Sequence, residues 1–202
     1  MNRRAMTKHF VFALAFVLLT GCSGGGPAAE PLRGTQLQGA TIGGPFTLTG
    51  SDGKTVRWED FAGKYRIVYF GYTFCPDACP TDVSVMMQGF KRFAAAHPAQ
   101  AAKVQPIFIS IDPVRDTPAK VGEFAAAFGA PLIGLTGTPE QTAAAAKAFK
   151  AYSAKGTESA GGYLMDHSRI AYLMGPDGQP IEGLPIEQGA EAVAADLAAA
   201  VR

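Results

Sequence analysis

The sequence predicts an α/β fold, a three-layer sandwich with helices on both faces of a central mixed β-sheet. Three observations carry this. Ile67-Val68-Tyr69-Phe70 is an unbroken apolar, β-branched run of the kind that forms a strand covered on both faces. Pro80 to Ala96 then sets Val83, Met86, Met87, Phe90 and Phe93 at helical spacing, and Pro98 prevents continuation. Val104 to Ile111 is a second buried strand. A strand, a long helix and a strand in this order form a right-handed crossover, which sets the two strands parallel. At 48% apolar and 17% charged residues, the 202-residue chain has the composition of one compact domain.

The remaining elements follow in chain order. Phe46-Thr47-Leu48 and a short segment around Val56 flank Ser51-Asp52-Gly53-Lys54, which reads as an N-terminal β-hairpin extension at a sheet edge. Beyond the second buried strand, Thr117-Pro118 opens a helix that ends before Gly129, with Val121, Phe124, Ala125 and Phe128 on one side. Leu132 to Leu135 is a short strand. Thr138-Pro139-Glu140-Gln141 supplies a cap, a first-turn proline and a third-position glutamine for an alanine-rich helix to about Tyr152. Ser153 to Gly162 is polar and small and predicts a long mobile loop leading into Tyr163-Leu164-Met165-Asp166-His167. Ile170 to Met174, the turn Gly175-Pro176-Asp177-Gly178 and Ile181 to Leu184 form the final antiparallel hairpin, and Glu187 to Val201 closes with a helix. This layout matches a thioredoxin-like sandwich, enlarged by the front hairpin and by the long loop before the final hairpin.

The N-terminus reads as an address. Arg3, Arg4 and Lys8 precede the apolar run Phe10 to Leu19, and Leu19-Thr20-Gly21-Cys22 has the form of a lipoprotein cleavage box. The run is about half the length that a membrane-crossing helix needs. Residues 1–21 are therefore expected to be a signal peptide. Residues 22–44, rich in glycine and proline, are expected to be a lipidated N-terminus at Cys22 followed by a flexible tether, and residues 45–202 the working domain. Such a protein is exported and held on a bacterial membrane, with its domain in the periplasm or an equivalent extracytoplasmic space. Loss of the three leader cations turns the formal charge of +1 slightly negative, which argues against a nucleic-acid partner.

Cys75-Pro76-Asp77-Ala78-Cys79 sets two thiols four residues apart where a strand gives way to a helix, so both sulfurs are expected on one helix face. Amides at a helix start favour a thiolate there. Four readings remain open for the pair: a soft-metal chelate, a redox dithiol, a structural disulfide and two inert buried thiols. His167 ends a loop that can bring it over a neighbouring strand end, although a lone histidine is more often surface or satisfied core. With both cysteines it would form a site of two thiolates and one imidazole, a set that suits copper or zinc. Asp112, Arg115 and Asp116, in Asp112-Pro113-Val114-Arg115-Asp116, either fix their loop through charge-assisted bonds or present a docking surface beside the thiols. Asp77 either tunes the site and attracts a cationic partner or is a solvated helix-start acid. Asp166 is a candidate to orient His167. Tyr69, Phe70, Tyr72 and Phe74 read as core and rim packing, and Met86-Met87 as core filling.

Gly71-Tyr72-Thr73-Phe74-Cys75-Pro76-Asp77-Ala78-Cys79-Pro80, the Asp112 to Asp116 motif, and Asp166-His167-Ser168 leading to Tyr172-Leu173 together resemble the Sco/SenC family of copper-binding assembly factors. The likeness spans about Pro45 to the C-terminus. It implies a membrane-attached, thioredoxin-like copper chaperone that binds Cu(I) or Cu(II) through Cys75, Cys79 and His167. The implied partners are the copper-accepting subunit of cytochrome c oxidase, a copper donor and a thiol reductant. The other role the same thiols could serve is a thiol-disulfide reductase acting on the oxidase subunit before metallation, with Cys75 and Cys79 as its redox pair. A third class, a peroxide-reducing thiol enzyme, would require a nearby basic activator. Two positions depart from the family pattern: Phe74 stands where many relatives have histidine, and Met165 where valine is frequent.

Overall fold

A computed structural model describes Met1, residues 31–158 and residues 162–202. The expected signal peptide and the Cys22 lipidation site lie outside the described residues. Among the described residues there are ten strands: β1 (Thr35–Gln36), β2 (Thr47–Gly50), β3 (Thr55–Arg57), β4 (Tyr65–Gly71), β5 (Val104–Ser110), β6 (Ile133–Thr136), β7 (Ser153–Lys155), β8 (Met165–His167), β9 (Ala171–Met174) and β10 (Pro180–Leu184). The α-helices are α1 (Ala78–Ala96) and α2 (Pro98–Ala101) between β4 and β5, α3 (Pro118–Phe128) between β5 and β6, α4 (Pro139–Ala148) between β6 and β7, and α5 (Ala190–Ala200) after β10.

Eight strands form one mixed sheet in the order β1-β10-β9-β4-β5-β6-β2-β3, while β7 and β8 form a separate two-stranded ribbon. Strand β4 is central, parallel to β5 and antiparallel to β9, and all seven of its residues are buried. This is why its sequence is a continuous apolar run rather than an alternation. The parallel links β4–α1–β5 and β5–α3–β6 step the same way across the sheet, so the right-handed rule puts both helices on one face. Side chains agree with this. Tyr69 and Phe108 are register partners on that face; Tyr69 reaches Asp82 of α1, and Phe108 stacks on Phe124 of α3 at 4.5 Å between ring centroids. Helix α5 packs on α1 where Gly89 removes a side chain, since a Cβ there would lie 2.5 Å from Val193 Cγ1. The opposite face is covered by α4 and its end, where Phe149 meets Phe70, Trp58 and Tyr172 at 5.3 to 5.7 Å. The result is the three-layer arrangement read from the sequence.

Three boundaries differ from expectation, each for a local reason. Helix α4 stops at Ala148, short of Tyr152, because Lys150 turns left-handed (φ 54°). The amides of Lys150 and Ala151 then close back on the carbonyls of Lys147 and Ala146. The expected loop from Ser153 is not wholly irregular: β7 pairs with β8 in the register Ser153↔His167, Ala154↔Asp166, Lys155↔Met165. Residues 33–36, expected to lie in the tether, belong to the fold. Residues Thr35 and Gln36 add an edge strand to β10, and Asp196 of α5 accepts the backbone amides of Arg33 and Gly34 at 2.7 and 2.8 Å.

That N-terminal strand covers an unusual carboxyl group. Glu182 on β10 is fully buried, and neither of its oxygens has a hydrogen-bond partner among the described residues. Burial first, and the nearby Asp196 carboxylate second, push it from an ordinary 4.5 up to about 8. Since the folded value lies above the unfolded one, this group's contribution to stability is complete below about pH 4.5 and is lost as pH rises towards 8. The slope reaches about 1.4 kcal/mol per pH unit. Glu182→Gln, which stays neutral, is expected to flatten the fall in melting temperature between about pH 5 and 8; equal slopes in both proteins would contradict a neutral Glu182 in the fold.

Candidate metal centre

The β4 strand delivers the chain to the site. Gly71 closes it because a Cβ there would lie 2.9 Å from Phe108 Cε2 and 3.0 Å from Cys79 Sγ. The loop that follows is fixed by Asp116, which is fully buried and accepts Thr73 N–H at 3.0 Å, Thr73 Oγ1–H at 2.6 Å and Ser110 Oγ–H at 2.6 Å. Of the two readings of the Asp112 to Asp116 motif, loop fixing by charge-assisted bonds is the one the contacts realise. Asp112 accepts from Arg115 Nε and from Tyr163 Oη at 2.8 Å, and Arg115 Nη1 donates to the Tyr163 carbonyl at 2.9 Å while its guanidinium lies 3.7 Å from the Tyr163 ring centroid. The motif therefore clasps the connection that leads into β8, the strand carrying His167.

The two thiols do not share a helix face as the spacing predicted. Helix α1 begins at Ala78, after the non-helical Asp77 (φ −145°, ψ −72°), so Cys75 stays in the loop. It nevertheless serves the helix. Asp77 makes no side-chain cap, and Cys75 Sγ instead accepts the Cys79 amide at 3.3 Å. Cys79 is buried in the first turn, whereas Cys75 is half-buried. Their electrostatics diverge accordingly. Burial pushes the Cys75 thiol up, but the Cys79 and Asp77 amides, with the Cys79 thiol and the Tyr72 hydroxyl, outweigh it and hold Cys75 below an ordinary thiol. At Cys79 burial dominates and, despite the Tyr72 backbone, drives the thiol far above the ordinary range.

His167 on β8 completes the group. Its Nε2 lies 3.1 Å from Cys79 Sγ, and its Nδ1 lies 2.9 Å from the Ser168 carbonyl. A carbonyl only accepts, so Nδ1 carries the proton and the Nε2 lone pair faces the thiols. Tyr69 and Tyr72 meet the imidazole nearly edge-on, at 6.2 and 6.0 Å. The orienting role expected of Asp166 thus falls to a backbone carbonyl, because on a strand Asp166 points away from its neighbour's face and is exposed. Asp77 is also exposed; its contribution to Cys75 comes through its amide rather than its carboxylate.

The donor atoms of Cys75, Cys79 and His167 all lie within 4.8 Å of one another. Bonds of about 2.0 to 2.3 Å to nitrogen and thiolate set the three donors of one metal roughly 3.5 to 4 Å apart, so only small adjustments are needed for the triangle to hold a soft first-row metal. The group opens into a shallow cleft between the Cys75–Ala78 turn and the Leu164–His167 segment. A separate cavity of about 230 Å³, lined by residues such as Val114, Ala146 and Met165, lies behind the ribbon and holds none of the three donors. Sequence reasoning gave no role to Asp82, Arg169, Tyr163 or Ser168. Asp82 could have been found, as an acid three residues after Cys79 on the otherwise apolar stripe of α1.

The model of the family described as SCO1/SenC matches residues 34–202. The chain belongs to the SCO1/SenC family. Protein SenC of Rhodobacter capsulatus is 45% identical over 147 residues, covering 71% of this chain and 63% of SenC. The mitochondrial SCO1 homolog 1 of Arabidopsis thaliana is 41% identical over 138 residues, covering 68% of this chain and 40% of that protein. The chain thus spans roughly half the length of the curated SCO1/SenC relatives it matches. Among solved structures, Bradyrhizobium japonicum ScoI with copper bound superposes with a TM-score of 0.67 at 38% identity, over 78% of this chain and 98% of that one. The thioredoxin-like fold read from the sequence is the fold of these Sco structures.

Proposed function

We propose that this SCO1/SenC chain is a copper chaperone that carries copper between Cys75, Cys79 and His167 and delivers it to the binuclear copper centre of cytochrome c oxidase. The observation that carries the reading is the triangle of two sulfurs and one nitrogen with the Nε2 lone pair already facing inward. Relatives with the same fold are described with copper bound, which supports the choice of metal over zinc. In this reading Cys75, half-buried and with its thiol held below the ordinary value, is the sulfur that copper meets first. Cys79 gives up its proton as the metal arrives, and His167 closes the site from its ribbon. Release runs in reverse at the exposed side, where Phe74 and Leu164 leave apolar surface beside the cleft for an accepting protein to cover. Copper is passed on intact, so the process is stoichiometric.

The proposal includes export and attachment through a lipidated Cys22, with the domain facing the periplasm; the leader motif supports it, and no helix among the described residues is long and apolar enough to cross a membrane. A copper donor and a thiol reductant complete the scheme. Oxidation joins the two sulfurs and sends two electrons and two protons to an acceptor, and the reductant must return them before copper can bind. The asymmetry of the two thiols also favours a second reading, a thiol-disulfide reductase in which exposed Cys75 attacks and buried Cys79 resolves.

Anaerobic copper titration of the reduced protein and its His167→Ala variant separates the two. The chaperone reading expects Cu(II) affinity to fall by more than the roughly 10- to 100-fold typical of outer-shell losses, with Cu(I), held by two thiolates, affected less. Dithiol exchange should be little changed. Copper affinity equal to wild type, with exchange intact, would count against His167 as a ligand and favour the reductase.

A further inference from the structure

Ribbon β7–β8 is not hydrogen-bonded to the main sheet, so no strand ladder of that sheet fixes His167 relative to α1, which carries Cys79. The ribbon is tied down on each side of β8. Before it, Arg115 holds the Tyr163 carbonyl on the Asp112 loop. After it, Arg169 reaches α1 directly: Nε donates to Asp82 Oδ2 at 2.8 Å and Nη2 to Asp82 Oδ1 at 2.5 Å. Asp82 lies three residues beyond Cys79 and is buried, while the Arg169 side chain remains 57% exposed. The same Asp82 Oδ2 accepts Tyr69 Oη–H at 2.8 Å, and the Tyr69 ring stands edge-on to His167. One buried carboxylate thus gathers the central strand, the helix of Cys79 and the segment just after His167.

We propose that Arg169 is a positioning residue for the metal centre, its two-pronged grip on Asp82 holding His167 over Cys79. The inference rests on the copper reading of the site for its consequence, but the positioning itself is a property of the metal-free protein. A fork with two parallel bonds fixes orientation as well as distance, which a lysine ammonium at the same place cannot do. Loss of the fork should therefore be felt at the nitrogen ligand and hardly at the two sulfurs. Cu(II), which demands defined geometry, should respond more strongly than Cu(I), which tolerates two thiolates alone.

Arg169→Ala and Arg169→Lys in the full protein test this through copper titration, electron paramagnetic resonance of the Cu(II) form, and imidazole resonances of metal-free His167. For Arg169→Ala we expect a fall of about 10- to 100-fold in Cu(II) affinity, weaker nitrogen hyperfine structure and a broadened His167 signal, with Cu(I) binding nearly retained. Arg169→Lys, which keeps a cation beside Asp82 and so protects folding, should show the same pattern in milder form. Wild-type Cu(II) affinity and unbroadened His167 signals in Arg169→Ala would overturn the proposal. So would equal losses of Cu(I) and Cu(II) that track a lowered melting temperature, or an unfolded Arg169→Ala beside an Arg169→Lys indistinguishable from wild type. If the wild type binds no copper, the chaperone reading fails by itself; the His167 signals then decide, broadening in the variants supporting the positioning and its absence refuting it.

Discussion

Replacing Cys75 and Cys79 together by serine is expected to abolish tight Cu(I) binding, a loss of at least about a thousandfold or roughly 4 kcal/mol. The reason is ligand softness: the two thiolates supply the donors Cu(I) prefers, and the remaining imidazole cannot hold it alone. The single variants should differ in a way the geometry dictates. Cys79→Ser puts a hydroxyl 3 Å or so from His167 Nε2, where it donates to the lone pair and removes both a sulfur and the free nitrogen. Cys75→Ser leaves the Cys79 and His167 pair in contact and loses the low-pKa thiol at the α1 start. Cu(I) competition titrations should therefore rank Cys79→Ser as the weaker binder. Equal, undiminished binding in the double variant would mean that the thiols are not the ligands.

Asp116→Ala is expected to be the most damaging single change outside the donor set. Its carboxylate, with no exposed surface, satisfies three donors on two chain segments, and its own carbonyl accepts Thr136 Oγ1–H at 2.7 Å at the end of β6. Truncation leaves the Thr73 amide and two hydroxyls without their charged acceptor, for a cost of about 3 to 5 kcal/mol. Against a total stability of about 5 to 15 kcal/mol that is a large share. Urea unfolding should show the midpoint falling at constant slope. Because Thr73 lies two residues before Cys75, copper affinity should fall as well, even where the variant remains folded. A midpoint within experimental error of wild type would show that this carboxylate does not organise the loop.

How much of this was legible beforehand depended on the range of the physics. The buried strands β4 and β5 and the helices α1, α3 and α4 announce themselves through periodicity and caps; Thr138 and Gln141, for instance, form the capping box their spacing implies. The two cysteines and His167 were marked as candidates by chemistry and by the family pattern, and the fold brings their donors together. What sequence spacing could not reveal was local backbone conformation and non-local contact. Cys75 capping α1 from outside it depends on the dihedral angles of Asp77. The orientation of His167 by the Ser168 carbonyl depends on a strand pairing between two segments, one of which reads as polar loop. The Arg169 and Asp82 pair joins residues 87 positions apart, neither of which belongs to a recognisable motif. That residues 33–36 join the fold follows from a backbone contact between residue 34 and a carboxylate 162 positions later.

The most direct test of the central claim is X-ray absorption at the copper edge of the fully reduced wild-type protein loaded with one equivalent of Cu(I). Two sulfur ligands and one nitrogen are expected, with the nitrogen lost in His167→Ala. A site with sulfur ligands only, unchanged by that substitution, or one built from oxygen and nitrogen without sulfur, would contradict it.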